Sequence, residues 1–120
     1  MYKVLQSTDW SFLVGGEVHQ VAIGLHQVQV AVFEDITTSI ECDFAHERSG
    51  HVLSSSTEMH TKAATLVSLL GKTVESVTPK GEEALILQFS GDERLTLIVG
   101  PAEEPYESFN VSRPGDIIVV

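Results

Sequence analysis

A chain that repeats its own apolar pattern must fold so that two similar units bury similar faces. Here Leu13-Val14-Gly15 returns as Leu69-Leu70-Gly71, and Val18 and Val21 return as Val74 and Val77, each pair 56 positions apart. The next apolar rows are Val28-Val30-Val32 against Leu85-Leu87-Phe89, then Ile40-Cys42-Phe44 against Leu95-Leu97-Val99, offset by 57 and 55. The changing offset puts a gained or lost residue in the turns while the alternation survives. Register matters because a slip of one residue would turn the core face outward. A period of this length predicts one supersecondary unit, residues 13–44, burying its face against a copy, residues 69–99. Identities are few, and any two β meanders with glycine turns share part of this pattern.

With 120 residues the chain fits one ordinary domain, whereas two independent 40-residue domains would each be too small to hold a core. Cys42 is the only cysteine, so no internal disulfide forms, and a reducing, cytoplasmic location is the expectation. No apolar run reaches the roughly 20 residues that a helix needs to cross a bilayer, and Met1-Tyr2-Lys3 leads into no signal-peptide pattern. Seven Lys and Arg against seventeen Asp and Glu give a net charge of -10. Such a surface repels nucleic acid and anionic membrane. It suits solubility, and it also suits a protein partner with a basic surface.

Strands are expected at Glu17 to Ile23, Gln27 to Phe33 and Thr38 to Asp43, from apolar alternation between turns at Gly24 and Glu34-Asp35. Ala45 to Thr57 is polar and aperiodic, a flexible segment. Ser55 and Glu58 then have capping-box spacing. Met59, Ala63, Leu66, Val67 and Leu70 recur at helical spacing, with Gly71 placed to end a helix over 56–70. The second unit predicts strands at Lys72 to Thr78, Ala84 to Phe89 and Leu95 to Val99, with a turn at Pro79-Lys80-Gly81. Tyr106 to Val111 and Ile117 to Val120 follow, and Tyr2 to Leu5 reads as an edge strand. Trp10 reads as a core plug. The fold class is α+β: antiparallel meanders forming a twisted sheet or incomplete barrel, with one packed amphipathic helix.

The succession Leu70-Gly71-Lys72-Thr73-Val74, then Leu85 to Phe89 with Ser90-Gly91-Asp92, Leu95 to Ile98 and Tyr106-Glu107-Ser108-Phe109, resembles a group of small uncharacterised bacterial domains. Some of these occur near toxin and immunity genes. In the first half the most similar segment runs from Gly24 to Val30, and Glu34-Asp35-Ile36 departs by having no glycine where its counterpart has Gly91. The resemblance implies a β-rich fold and a non-enzymatic role, and it brings no catalytic residues with it.

Chemistry-bearing residues are sparse. Cys42 shares an apolar strand face with Ile40 and Phe44 and reads as a small hydrophobe, with acidic neighbours that disfavour a thiolate. The five histidines lack the i,i+4 pair of a zinc helix. His46, His51 and His60, with Glu47 and Glu58, form the one metal-like alternative, which would make the protein a small metal-dependent or pocket-containing enzyme. Gly15-Gly16 lacks the Lys and Ser or Thr of a phosphate loop. No cofactor is implied. The favoured expectation is a non-enzymatic protein-binding or self-association module, a homodimer meeting through strand edges or the sheet face away from the helix. His26, Gln27, Gln29, Tyr106 and Glu107 are the polar residues that would line a binding surface or pocket.

Overall fold

In the computed structural model, which describes all residues except 1–4, 55, 57 and 100–107, ten strands form two five-stranded antiparallel sheets. The strands are β1 Val18–Ile23, β2 Val28–Val32, β3 Ile36–Ile40, β4 Asp43–Arg48, β5 His51–Val52, β6 Val74–Lys80, β7 Ala84–Phe89, β8 Glu93–Ile98, β9 Phe109–Arg113 and β10 Asp116–Val119. One sheet has the order β1-β2-β3-β9-β10 and the other β5-β4-β8-β7-β6, so the fold is α+β without a closed barrel. Each unit sends its fourth strand across. β4 leaves the first unit to pair with β8, and β9 leaves the second to pair with β3.

Backbone hydrogen bonds recur in matched pairs. Gly15 N–H donates to Val74 O at 2.8 Å, and Gly71 N–H donates to Val18 O at 3.0 Å; Val18 N–H donates to Lys72 O, and Val74 N–H to Gly16 O. Each bond turns into its mate when both residues are shifted by one repeat, and the bridge between Glu17 and Thr73 lies at the centre of the four. Gly15 and Gly71 both take positive φ, 88° and 81°, where a side chain would be strained. The ladders match too. Irregular register falls between Val18 and Gln20 in β1 and between Val74 and Ser76 in β6.

The ladders correct the alignment of the third strand. Val28 pairs with Ile40 and Val32 with Ile36, as Leu85 pairs with Leu97 and Phe89 with Glu93, so Ile36-Thr38-Ile40 corresponds to Glu93-Leu95-Leu97. Ile40, Cys42 and Phe44 do not share one strand. The chain leaves β3 after Ile40, passes the half-buried Cys42, and enters β4 at Asp43. The segment expected to be flexible, Ala45 to Thr57, therefore contains β5 and most of β4, whose signal is hidden because β4 buries a histidine where apolar residues usually stand.

The helix is shorter than its spacing implied. Met59–Ala63 is α-helical (α1), Ala64–Leu69 continues as a 3-10 helix, and the N-cap Glu58 has no side-chain capping bond; Ser55 lies outside the described residues. Three residues per turn bring Ala63, Leu66 and Leu69 onto one line. Those three are fully buried, while Val67 and Leu70, which α-helical spacing puts in the stripe, are exposed. Met59 is half-buried against the core. A corresponding 3-10 turn, Ser11–Leu13, precedes Gly15 in the first unit.

One apolar cluster joins both sheets and the helix, with Phe44, Phe89 and Phe109 among its largest side chains. Trp10 is buried as expected, its indole N–H donating to Leu5 O at 2.9 Å and its ring 6.1 Å from that of Phe109. Leu5 lies in a turn, and the rest of the expected first strand falls outside the described residues. Pro79 and Lys80 belong to β6, so that reversal occurs at residues 81–83. β9 begins at Phe109, and Tyr106 and Glu107 are outside the described residues.

Candidate functional site

Glu93 opens β8 with its side chain turned inward and 1% exposed. A buried carboxylate is costly unless charged and hydrogen-bonding partners surround it. Here His46 Nε2 lies 2.9 Å from Oε2, and the Ser68 hydroxyl donates to the same oxygen at 2.9 Å. The Arg48 guanidinium approaches Oε1 at 3.3 Å, with Lys72 Nζ at 4.0 Å. Burial works to raise the Glu93 pKa, but the hydrogen bonds from His46 and Ser68 and the Arg48 charge outweigh it and hold the carboxyl below its ordinary value. The Thr65 hydroxyl lies 2.8 Å from His46 Nδ1 and within hydrogen-bond distance of Lys62 O. The cluster thus ties β4 and β8 to the helical segment that carries Thr65 and Ser68.

That segment forms one wall of a groove of about 540 Å³ beside β4. Phe44, Val52, Met59 and Ile98 give the groove its apolar surface, and Glu41, Asp43 and Lys62 supply its charges. Lys62 stands 4.8 Å above the Phe44 ring and pairs with the Asp43 carboxylate. Asp43 Oδ1 also accepts the Phe44 backbone N–H at 2.9 Å. The Cys42 thiol lines the groove with its pKa pushed up to about 12, chiefly by burial. It stays protonated near neutral pH and is a poor nucleophile. Neither His46 nor Glu93 lines the groove.

A third surface is the outer face of the first sheet. The register places Gln20, Ala31, Thr37, Ser112 and Ile117 in one row across all five strands, and Ala22, Gln29, Ser39, Asn110 and Val119 in the next. None of these ten side chains is charged. Five of them enclose a hollow of about 70 Å³. The outer face of the second sheet carries Asp43, Glu47, Lys80 and Arg94 among its rows.

The residues singled out from sequence scatter over these surfaces. Gln29 lies on the uncharged face, its amide donating to Ser39 Oγ at 3.2 Å. His26 is exposed and Gln27 half-buried at the reversal between β1 and β2, and Tyr106 and Glu107 fall outside the described residues. His46 is buried in the Glu93 cluster, His51 is exposed on β5, and His60 is exposed on α1 with Glu58 3.3 Å away. Glu47 is half-buried on β4. Among the described residues no three His, Cys, Asp or Glu side chains gather as a metal-ligand group. Sequence reasoning missed Glu93, Thr65 and Ser68. Correct alignment of the third strand would have exposed Glu93 as a carboxylate at the position held by Ile36.

Among the described residues no helix is long and apolar enough to cross a membrane. Compared with known proteins, the chain matches no family model, no curated sequence and no solved structure.

Proposed function

We propose that the protein is a non-enzymatic binding module that self-associates, two copies meeting through the uncharged outer face of the first sheet. The observation that carries this reading is where the charge lies. A chain of net charge -10 repels its own copies, so two copies meet at least cost where no like charges are brought together. Ten uncharged side chains spread over five strands supply such a face, and its edge carries Ile117, 55% exposed. Strands lie about 4.8 Å apart and rise about 3.4 Å per residue. The two rows and their margins therefore cover on the order of 400 Å² per copy, about 800 Å² in all, below the size of a stable specific interface and in the range of weak, transient contacts. The dimer is weak and concentration-dependent. The net charge of -10 leaves the rest of the surface suited to a basic protein partner.

Sedimentation equilibrium from about 10 μM to 1 mM tests this, since a small interface belongs in the weak-affinity range. A monomer–dimer equilibrium that tightens with added salt is expected, because salt screens the repulsion between the two chains. Thr37→Glu, in the centre of the face, should weaken it by about tenfold or more. A chain that stays monomeric at every concentration, or a dimer indifferent to Thr37→Glu, would overturn the reading.

A further inference from the structure

The groove beside β4 occupies the place that a strand fills in the other unit. After the second unit's crossover, β10 runs along the whole of β9. Arg113 pairs with Asp116, Ser112 with Ile117, Val111 with Ile118 and Asn110 with Val119, and Val120 N–H then donates to Phe109 O at 3.0 Å. The first unit starts the same ladder. Arg48 pairs with His51 and Glu47 with Val52, and Leu53 N–H donates to His46 O at 2.9 Å. There β5 ends, and the chain goes on through Ser54 towards α1. In this correspondence Ala45 stands for Asn110 and Phe44 for Phe109. The stretch of β4 equivalent to the one that β10 covers with Val119 and Val120 instead lines the groove, together with Ser54, Met59 and Lys62 from the diverted chain.

We infer that this groove receives an extended segment of a partner protein, added antiparallel to β4 at Phe44 and Ala45 in the manner of β10 on β9. The molecule itself supplies the pattern of the occupant, since Val119-Val120 fills the matching place beside β9, while the place of Ile118 is already taken here by Leu53. Strand addition draws affinity from main-chain hydrogen bonds and specificity from pockets for alternate side chains; here the carbonyl of Phe44 is the acceptor, as Phe109 O is for Val120 N–H, because the Phe44 N–H is already held by Asp43 Oδ1. Here the apolar surface of Met59, Val52 and Ile98 takes an aliphatic side chain. Electrostatics sets the rest of the occupant. Glu41 and Asp43 line the groove against Lys62, which already pairs with Asp43, so a segment bearing Lys or Arg beside its aliphatic residues is complementary. This slot lies on the second sheet, away from the self-association face, and does not depend on it.

The probe is the blocked peptide Lys-Ile-Ile-Val-Val-Lys with an N-terminal fluorophore, titrated with the whole protein and followed by anisotropy and by amide chemical shifts. Saturable binding is expected, with shifts concentrated at Phe44, Ala45 and Val52. The same peptide with Glu at both ends should bind at least about tenfold more weakly, and Ile98→Lys, on an exposed groove position, should weaken the basic peptide by a similar factor. Unchanged shifts elsewhere in the Ile98→Lys spectrum verify that the variant is folded, and Glu41→Lys provides a second variant outside the strands. The inference is overturned if the two peptides bind equally, if the shifts fall on the outer face of the first sheet, or if no binding occurs. It is also overturned if the groove amides shift with protein concentration alone, which would make a second copy the occupant.

Discussion

Ile36 and Glu93 occupy corresponding register positions in the two sheets, yet one is an aliphatic core residue and the other a buried carboxylate. The first sheet is apolar at the corresponding places: Val111, opposite Thr38, stands where the second sheet has His46 opposite Leu95, and Phe12, covered by the Arg113 guanidinium at 4.3 Å, stands one repeat before Ser68. Around Glu93 the second sheet has His46 and Arg48, from the crossing strand β4, and the helical segment adds Ser68. The two arginines hold equivalent places, one over a ring and one on a carboxylate. The backbone ladder, the glycines at positive φ and the crossing strands are indifferent to this exchange. Main-chain hydrogen bonding and alternation define the unit, and the chemistry of a core position is free to change when all of its neighbours change with it.

The comparison breaks most visibly at Glu93. Removing the carboxylate alone leaves His46 and Arg48 facing an unpartnered cavity, so Glu93→Ala should cost about 3–5 kcal/mol in urea denaturation. Ile36→Ala, in the apolar copy, loses packing alone and should fall within about 2–5 kcal/mol. The two differ in how they respond to acid. Since the folded Glu93 pKa is depressed, its stabilisation is complete above the ordinary carboxyl value of 4.5 and is lost as pH falls through the lower folded value. Denaturation midpoints measured across that window should therefore draw closer for wild type and Glu93→Ala while the Ile36→Ala difference persists.

The helical segment sharpens the comparison at a smaller scale. Leu66→Ala should cost about 2–5 kcal/mol because Leu66 is fully buried on the 3-10 line with Ala63 and Leu69. Val67→Ala, on an exposed position, should change stability by less than about 0.5 kcal/mol. Equal costs would restore the α-helical face that the spacing of Met59, Ala63, Leu66, Val67 and Leu70 implies.

Much of the fold was legible where side-chain alternation and turn chemistry agree. Val28-Val30-Val32, Leu85-Leu87-Phe89 and the glycines at 15 and 71 marked the meanders because each obeys both. Legibility failed where a polar residue takes a core position. His46 disguised β4 as a loop, and Glu93 broke the apolar row that would have aligned β8 with β3; the row of Ile40, Cys42 and Phe44 then offered a false match across a strand boundary. Val67 was misplaced because the helix tightens after Ala63, a change of period that a stripe of apolar residues does not record. The groove was invisible for another reason: it arises from the early departure of β5, and only the comparison of β5 with β10 shows it.

The most direct test of the shared backbone plan writes the first sheet's chemistry into the second. The double substitution Glu93→Ile with His46→Val copies Ile36 and Val111, removing the buried carboxylate and its nearest partner together. Replacing both members of a buried hydrogen-bonded polar pair by packed aliphatic groups is often nearly neutral or stabilising. Urea denaturation at pH 7 should therefore place the double variant at or above wild-type stability, with the acid-sensitive contribution of Glu93 gone. A double variant as unstable as Glu93→Ala alone would contradict the account.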